Sequence, residues 1–370
     1  MKARVLHYVS KMNRGGQETF IMNVFRNIDT EQIKFDFLCT ETGEGDYDTE
    51  IKRLGGKIYN LPPVGKNHFK MFALLLSLWK KLRKLSQNHD IFEIHTQHAM
   101  DAFFSSFVAK RAGFKVVIVH SHNSSTMYHP KLHHIFKPFL KMLSIKRFAC
   151  SNGAGKWMYG KSNFSVINNG IQVSDFLYSP EIRKQVRQKF NWTNQIVVGH
   201  VGRFNDQKNH NYLIDIFNAF HKIHKNSRLV LVGVGENLNI IKKKVDDYQL
   251  GKYVDFLGNR SDVNELYQGM DLFLFPSFFE GLPVVLIESQ TSSLPCLVSD
   301  SVTGEVKITP KLYFYSLGKG PSEWAKKLDS LAKNSKRKNE INLIKKNGYD
   351  IRDVAKKLEK LYFQYAGEIK

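Results

Sequence analysis

Residues 275 to 288 read Phe275-Pro276-Ser277-Phe278-Phe279-Glu280-Gly281-Leu282-Pro283-Val284-Val285-Leu286-Ile287-Glu288, two carboxylates eight positions apart around a Gly-Leu-Pro turn. An apolar strand expected over Asp271 to Phe275 runs into this turn, and an apolar helix leaves it. The turn therefore falls at the carboxyl end of a strand and the amino end of a helix, where open α/β sheets bind phosphorylated ligands. Pro283 at the first helical position gives up an amide that has no intrahelical acceptor, which leaves the amides of Gly281 and Leu282 to face an anion. Glu288 then lies about a turn and a half inside the helix, roughly 8 Å along its axis. A carboxylate there can accept hydrogen bonds from two neighbouring hydroxyls, as a ribose presents them. The pattern points to a nucleotide.

Working outward, strands and helices alternate in both halves of the chain. Val5 to Val9, Lys34 to Cys39, Lys57 to Leu61, Ile91 to His95, Val116 to His120 and Arg147 to Cys150 read as short buried strands of a first doubly wound sheet. Ile196 to Val201, Arg228 to Val232, Tyr253 to Leu257, Asp271 to Phe275 and Cys296 to Ser299 repeat the pattern. Two Rossmann-like α/β domains follow, and 370 residues exceed what one hydrophobic core usually serves. The break between them is expected at Val166-Ile167-Asn168-Asn169-Gly170-Ile171, because Asn-Asn-Gly interrupts regular structure.

A second segment carries cations. Val198-Gly199-His200-Val201-Gly202-Arg203-Phe204-Asn205-Asp206-Gln207-Lys208-Asn209 is a strand, a Gly-Arg turn and a Lys-Asn helix start. Arg203 offers a planar fork of donors and Lys208 a mobile point charge. Together with the Glu280 to Glu288 spacing, this segment resembles the retaining glycosyltransferases of the GT-B fold, the large family 4 of sugar-nucleotide-dependent enzymes. The resemblance implies two Rossmann-like domains facing across a cleft. It places an acceptor-binding domain at 1–168, joined by a returning terminal helix within 350–370, and a nucleotide-sugar domain at 169–349. It further implies that Arg203 and Lys208 grip the donor diphosphate, that Glu280 orients the sugar ring, and that Glu288 holds the ribose.

Other positions take roles through the same resemblance. Gly15 and Gly16 precede a helix and imply a loop near the diphosphate. His120-Ser121-His122 follows the strand Val116 to Val119, and either histidine is placed at the donor sugar, His120 preferred. No Asp, Glu or Cys accompanies these histidines nearby in sequence, so a zinc site is not expected there. Gly233, in a strand-to-turn segment, suits a pocket wall. Asn259 and Arg260 are placed beside the nucleobase, although Ser261 or Asp262 as a helix cap explains much of that pattern without a ligand.

Charge supplies a separate clue. The chain carries a net +21, and residues 1–170 hold 25 Lys and Arg against 12 Asp and Glu. Ala102 to Ser174 contains no acidic residue and ten basic ones. Such a field attracts anionic lipid head groups or a lipid diphosphate, each basic group near the surface giving on the order of 1 kcal/mol. Lys131 to Leu143 interleaves bulky apolar and basic residues as an interfacial helix does, and Met71 to Lys84 is a second candidate. Peripheral association with an anionic membrane surface is therefore expected. No export signal or membrane-crossing run is read at the start or within the chain, and three dispersed cysteines fit a reducing cytoplasm. Nucleic-acid binding lacks a recognisable module.

The implied reaction is transfer of a hexose or N-acetylhexosamine from a nucleotide sugar, UDP-linked by expectation, with retention at the anomeric carbon. Two cations and a helix terminus neutralise the leaving diphosphate, so neither a cofactor nor a divalent metal is expected in that step. The stretch after Glu288 departs from the commoner family pattern and resembles the branch that builds capsule and exopolysaccharide units on a polyprenyl-diphosphate carrier. Two alternatives stand beside this reading. One is a UDP-sugar epimerase of the same fold, which needs acid and base carboxylates not found here. The other is a catalytically idle partner subunit, expected to have lost Arg203, Lys208 or one glutamate.

Overall fold

The computed structural model describes residues 2–62, 70–125, 129–333 and 336–368. They form two compact units, residues 1–170 with 351–370, and residues 171–350.

The first unit holds a parallel sheet of β1 (Ala3–Val9), β2 (Ile33–Cys39), β3 (Ile58–Asn60), β4 (Ile91–Thr96), β5 (Val116–Ser121), β6 (Lys146–Ala149) and β7 (Ser165–Val166), in the order β3-β2-β1-β4-β5-β6-β7. Helices cover it, so β4 and β5 are buried along their whole length. Yet they carry Glu93, His95 and His120 among their apolar residues, and β1 carries His7. The helices Gly16–Asn27 and Ile351–Gly367 share the core that includes Phe20, Phe25, Phe35, Ile351, Leu358 and Tyr362. The last helix of the chain thus belongs to the first unit.

The second unit holds β8 (Ile196–Val201), β9 (Ser227–Val232), β10 (Val254–Gly258), β11 (Leu272–Phe275), β12 (Cys296–Ser299) and β13 (Leu312–Tyr315), parallel and ordered β10-β9-β8-β11-β12-β13. Its core is formed by Val198, Phe217, Leu231, Leu274 and Trp324, among others. In both sheets the order in which strands are added reverses between the parallel middle strands, β1–β4 and β8–β11, which leaves a crevice at their carboxyl ends where such sheets bind ligands.

Three local expectations are corrected. Strands β7 and β13 extend the two sheets beyond the apolar runs, since each is short and only partly buried and carries little periodicity. Lys131 to Leu143 is not one interfacial helix: an α-helix Pro130–Phe136 passes into a 3-10 segment Lys137–Met142, because Pro138 cannot donate its amide to a continuing α-helix. Ile135, Phe139 and Met142 are nonetheless exposed, whereas His133 and Leu140 turn inward. Finally, Pro283 caps the helix Val284–Thr291 and is not its first residue. Glu288 therefore lies about 6 Å along the axis from Val284.

Candidate active site

β8 ends at Val201, and the chain turns through Gly202 and Arg203 into a 3-10 turn, Asp206–Lys208. Asn205 caps that turn, its Oδ1 accepting the Lys208 amide at 3.2 Å. Asn209, at φ +54°, ends it and redirects the chain into the helix His210–Ile223. Asparagine tolerates this left-handed geometry better than most residues. Lys208 is thereby aimed at the end of β11, where its Nζ lies 2.6 Å from Glu280 Oε1 and 4.7 Å from the Phe275 ring centre. Side-chain exposures of 15 % and 8 % keep this pair largely out of water.

Backbone and amide contacts fasten the two turns together. The Phe278 amide donates to Gln207 O at 2.9 Å, Gln207 Nε2 donates to Phe279 O at 3.0 Å, and Asn209 Nδ2 donates to Pro276 O at 3.2 Å. Asn205, Gln207 and Asn209 thus support the site without a motif of their own. Their signal was a run of turn-forming amides around Lys208, which reads equally well as an ordinary loop.

Gly233 lies where the turns after β8 and β9 meet. At φ +136° an added Cβ would lie 2.1 Å from Gly202 O, so only glycine lets the β8 and β9 turns approach this closely. The Gly233 amide donates to Gly258 O at 2.8 Å.

Glu288 faces Tyr267, whose hydroxyl donates to Glu288 Oε2 at 3.0 Å. Burial pushes the Glu288 carboxyl up to about 7, and the tyrosine hydrogen bond opposes that shift. Tyr267 is a further residue that motif reading missed; its place on the short helix Val263–Gly269 gave no local sign of the partner.

Several expectations are revised. Arg203 does not join Lys208: its side chain is 71 % exposed and its Nε lies 3.3 Å from Glu236 Oε2. Gly281 and Leu282 are buried and already interact within the fold, so they are not simply open amides. Arg260 is engaged by Asp262 through two hydrogen bonds of 2.8 and 2.5 Å, which also explains why Asp262 provides no side-chain cap to its helix. Asn259 lies beside them and has interactions of its own. Gly15 and Gly16 start the helix Gly16–Asn27 with ordinary negative φ at Gly15, and a Cβ at Gly16 would meet nothing within 4 Å. Neither glycine is required by the local backbone. One Asp-x-Asp spacing is present, Asp46-Tyr47-Asp48; Asp46 Oδ2 accepts the Arg14 amide at 3.0 Å, and Asp48 begins the helix Asp48–Arg53.

In the first unit, strand register brings beside His120 an acid, Glu93, that lies 27 residues away in sequence. β4 lies beside β5 with His95 opposite His120, and β1 lies beside β4 with His7 opposite Glu93. His120 Nδ1 is 3.0 Å from Glu93 Oε1, and the Tyr362 hydroxyl donates to Glu93 Oε2 at 2.6 Å. His7 Nδ1 lies 2.9 Å from His95 Nε2, and His95 Nδ1 lies 2.9 Å from His122 Nε2. Burial pushes His7 down to about 4 and His120 down to about 3, and holds His95 and His122 well below the ordinary value, so these imidazoles are neutral at pH 7. His120 is fully buried.

Two Rossmann-like units with parallel sheets define an α/β protein of the GT-B class. Over 98 % of its length the chain matches a solved Anabaena protein, Alr3699/HepE, in complex with UDP-glucose, at 99 % of that chain, TM-score 0.79 and 16 % identity. Residues 182–350 match the model of glycosyl transferases group 1, and residues 14–175 that of glycosyltransferase family 4. A putative glycosyltransferase of Bacillus subtilis, EpsF, is 32 % identical, over 94 % of this chain and 93 % of its own. The chain belongs to this family of glycosyltransferases. It is also 28 % identical, over 81 % of the chain and 80 % of the relative, to an Escherichia coli UDP-Gal:alpha-D-GlcNAc-diphosphoundecaprenol alpha-1,3-galactosyltransferase. A Staphylococcus aureus capsular polysaccharide biosynthesis glycosyltransferase, CapH, is 26 % identical over 97 % and 98 %.

Proposed function

We propose that this glycosyltransferase moves a hexose or N-acetylhexosamine from a UDP-sugar to a polyprenyl-diphosphate-linked saccharide, with retention, in capsule or exopolysaccharide synthesis. The observation that carries the reading is the Lys208–Glu280 pair at a strand-to-helix turn, with Glu288 farther along the same helix. Lys208 has three ammonium donors, so it can keep Glu280 and still meet a β-phosphate oxygen as negative charge develops there. Arg203 lies at the same turn, and its exposed guanidinium exchanges Glu236 for a diphosphate at little cost, since exposed ion pairs contribute roughly 0–1 kcal/mol. Glu280 then accepts from sugar hydroxyls and Glu288 from the ribose. Departure of the diphosphate is assigned to these groups and not to added magnesium or manganese. The E. coli relative, whose name specifies UDP-galactose and a diphosphoundecaprenol acceptor, supports the donor and acceptor classes.

The basic, acid-free stretch from Ala102 to Ser174 supports a lipid-facing role for the first unit at the inner face of the cell membrane, with Ile135, Phe139 and Met142 exposed among Lys131, Lys137 and Lys141. No helix among the described residues is long and apolar enough to cross a membrane.

The test is incubation with a panel of sugar nucleotides, with and without lipid diphosphate saccharides, following nucleoside diphosphate release. Acceptor-dependent release from one UDP-sugar, and an α-linked product from an α-linked donor by NMR, are expected. Release from none of the panel, or an inverted product, overturns the reading.

A further inference from the structure

We propose that His95, His120 and His122 form a binding site for one divalent transition-metal ion, with Glu93 fixing His120 from behind. The site lies within the first unit and does not depend on the donor reading above.

The three histidines offer ligand nitrogens that all lie within 4.8 Å of one another. A tetrahedral zinc or cobalt ion with metal–nitrogen bonds of about 2.0 Å sets its ligand nitrogens about 3.3 Å apart. His95 Nδ1 and His122 Nε2 are already at 2.9 Å, so small ring rotations separate that pair and draw in the third. The partners behind the rings set the tautomers. Glu93 Oε1 accepts the His120 Nδ1 proton, which leaves the lone pair on Nε2; that nitrogen is buried and has no partner. A carboxylate holding the far nitrogen is the usual second support of a metal-bound histidine. The Tyr362 hydroxyl in turn fixes Glu93. His95 Nε2 faces His7 Nδ1 at 2.9 Å and Glu93 Oε1 at 3.8 Å, so protonation there leaves Nδ1 for the ion.

Hydrogen-bond accounting singles out His120 Nε2 as a lone pair that the ion would use. A neutral imidazole has one donor and one acceptor. Along His7–His95–His122, whichever way the two protons point, one terminal nitrogen is a donor without an acceptor and the other an acceptor without a donor. His7 Nε2 and His122 Nδ1 are those ends, and both lack partners, as does His120 Nε2. Three such atoms in one patch is uncommon, because buried polar atoms are almost always satisfied. An ion bound by His120 Nε2, His95 Nδ1 and His122 Nε2 takes up the His120 lone pair and leaves His7 Nε2 and His122 Nδ1 as N–H donors. His122, at the end of β5 and only partly buried, is the route of entry. Three protein nitrogens leave one coordination position for water or an anionic oxygen.

The test uses the full chain after chelator treatment, titrated with Co2+ and then Zn2+. One equivalent of cobalt is expected, with the visible absorption of a tetrahedral nitrogen-rich site, displaced by zinc and accompanied by a higher melting temperature. His122→Gln should abolish the spectrum, and Glu93→Gln should weaken cobalt binding about 10- to 100-fold. His134→Gln, on an exposed side chain, should leave it unchanged. Folding of each variant is checked by far-UV circular dichroism, and if none folds the wild-type titration decides. No cobalt spectrum in the folded wild type, or one that survives in both His122→Gln and His95→Gln, overturns the proposal and leaves a metal-free chain of hydrogen-bonded imidazoles.

Discussion

Lys208 Nζ and Glu280 Oε1 stand 2.6 Å apart although 72 residues separate them in sequence, and this contact joins the turn after β8 to the turn after β11. Its geometry is set by the Asn205 cap and by the Gln207 and Asn209 bonds, not by the pair alone. A cation held in this way needs little reorganisation when a diphosphate develops charge beside it.

Lys208→Ala should therefore lower kcat by about 10²- to 10³-fold, the cost of removing one donor from a site where charge develops. Steady-state release of nucleoside diphosphate measures it. Activity within threefold of wild type would remove Lys208 from the reaction.

Glu288 makes donor binding sensitive to pH. Its carboxyl sits at about 7 in the folded chain against an ordinary 4.5. Ribose recognition by a carboxylate is thus lost as pH falls through 7, and the donor KM should decrease as pH rises through that value and then level off. The stability contribution has the opposite direction. The folded state keeps the proton that the unfolded chain releases near 4.5, so this contribution is present at low pH and is lost as pH rises through about 7. Tyr267→Phe removes a hydrogen bond that favours the charged form and should move the KM transition to higher pH. A KM profile that is unchanged in Glu288→Gln would contradict the assignment.

Two glycines separate folding from function. Gly233→Ala forces a Cβ to 2.1 Å from a carbonyl oxygen at positive φ, and the second unit should melt at a clearly lower temperature. Gly16→Ala adds a methyl to open space, so its melting temperature should match wild type within the roughly 0.5 kcal/mol typical of neutral surface changes. Any loss of turnover in Gly16→Ala then reports ligand approach to that loop. Calorimetry with parallel kinetics distinguishes the two.

The second unit should also be acid-sensitive. Burial pushes His200 down to about 3 and His210 down to about 2, so in the folded state both stay neutral where the unfolded chain is protonated. The unfolded state binds the extra protons below about 6.5, and stability therefore falls as pH is lowered through that value. Urea melts between pH 7.5 and 5 should show a falling midpoint. His200→Gln, which can still occupy the space beside Leu274 O, should flatten the slope.

Binding to anionic vesicles should weaken with salt, and Ile135→Glu with Met142→Glu should weaken it further while leaving soluble-acceptor turnover intact. Co-sedimentation with vesicles of graded phosphatidylglycerol content measures this. Indifference to lipid charge would count against a lipid-facing first unit.

Strand positions were legible because apolar runs end at Gly, Pro and Asn; Ile196–Val201 and Cys296–Ser299 lie where periodicity put them. The Glu280–Glu288 spacing and Lys208 were legible because strand-to-helix turns are local. What escaped was tertiary. Glu93 and His95 alternate within an otherwise apolar strand, and that polar alternation was the available sign of a buried partner; only the register of β4 against β5 shows that the partner is His120. Arg203 illustrates the reverse case, since residue type points to a diphosphate but does not show that the exposed side chain rests against Glu236. The regular alternation of apolar and basic residues around Pro138 masks the break it makes between Phe136 and Lys137.

The helix Ile351–Gly367 has a consequence for biosynthesis. It inserts Ile351, Leu358 and Tyr362 into the core of the first unit, and Tyr362 completes the hydrogen bonding of Glu93. On the ribosome the leading 170 residues must wait, with that flank of their sheet uncovered, until translation has passed residue 367, whereas residues 171–350 can collapse earlier. Nascent chains stalled before this helix should consequently recruit holdase chaperones to the amino-terminal part.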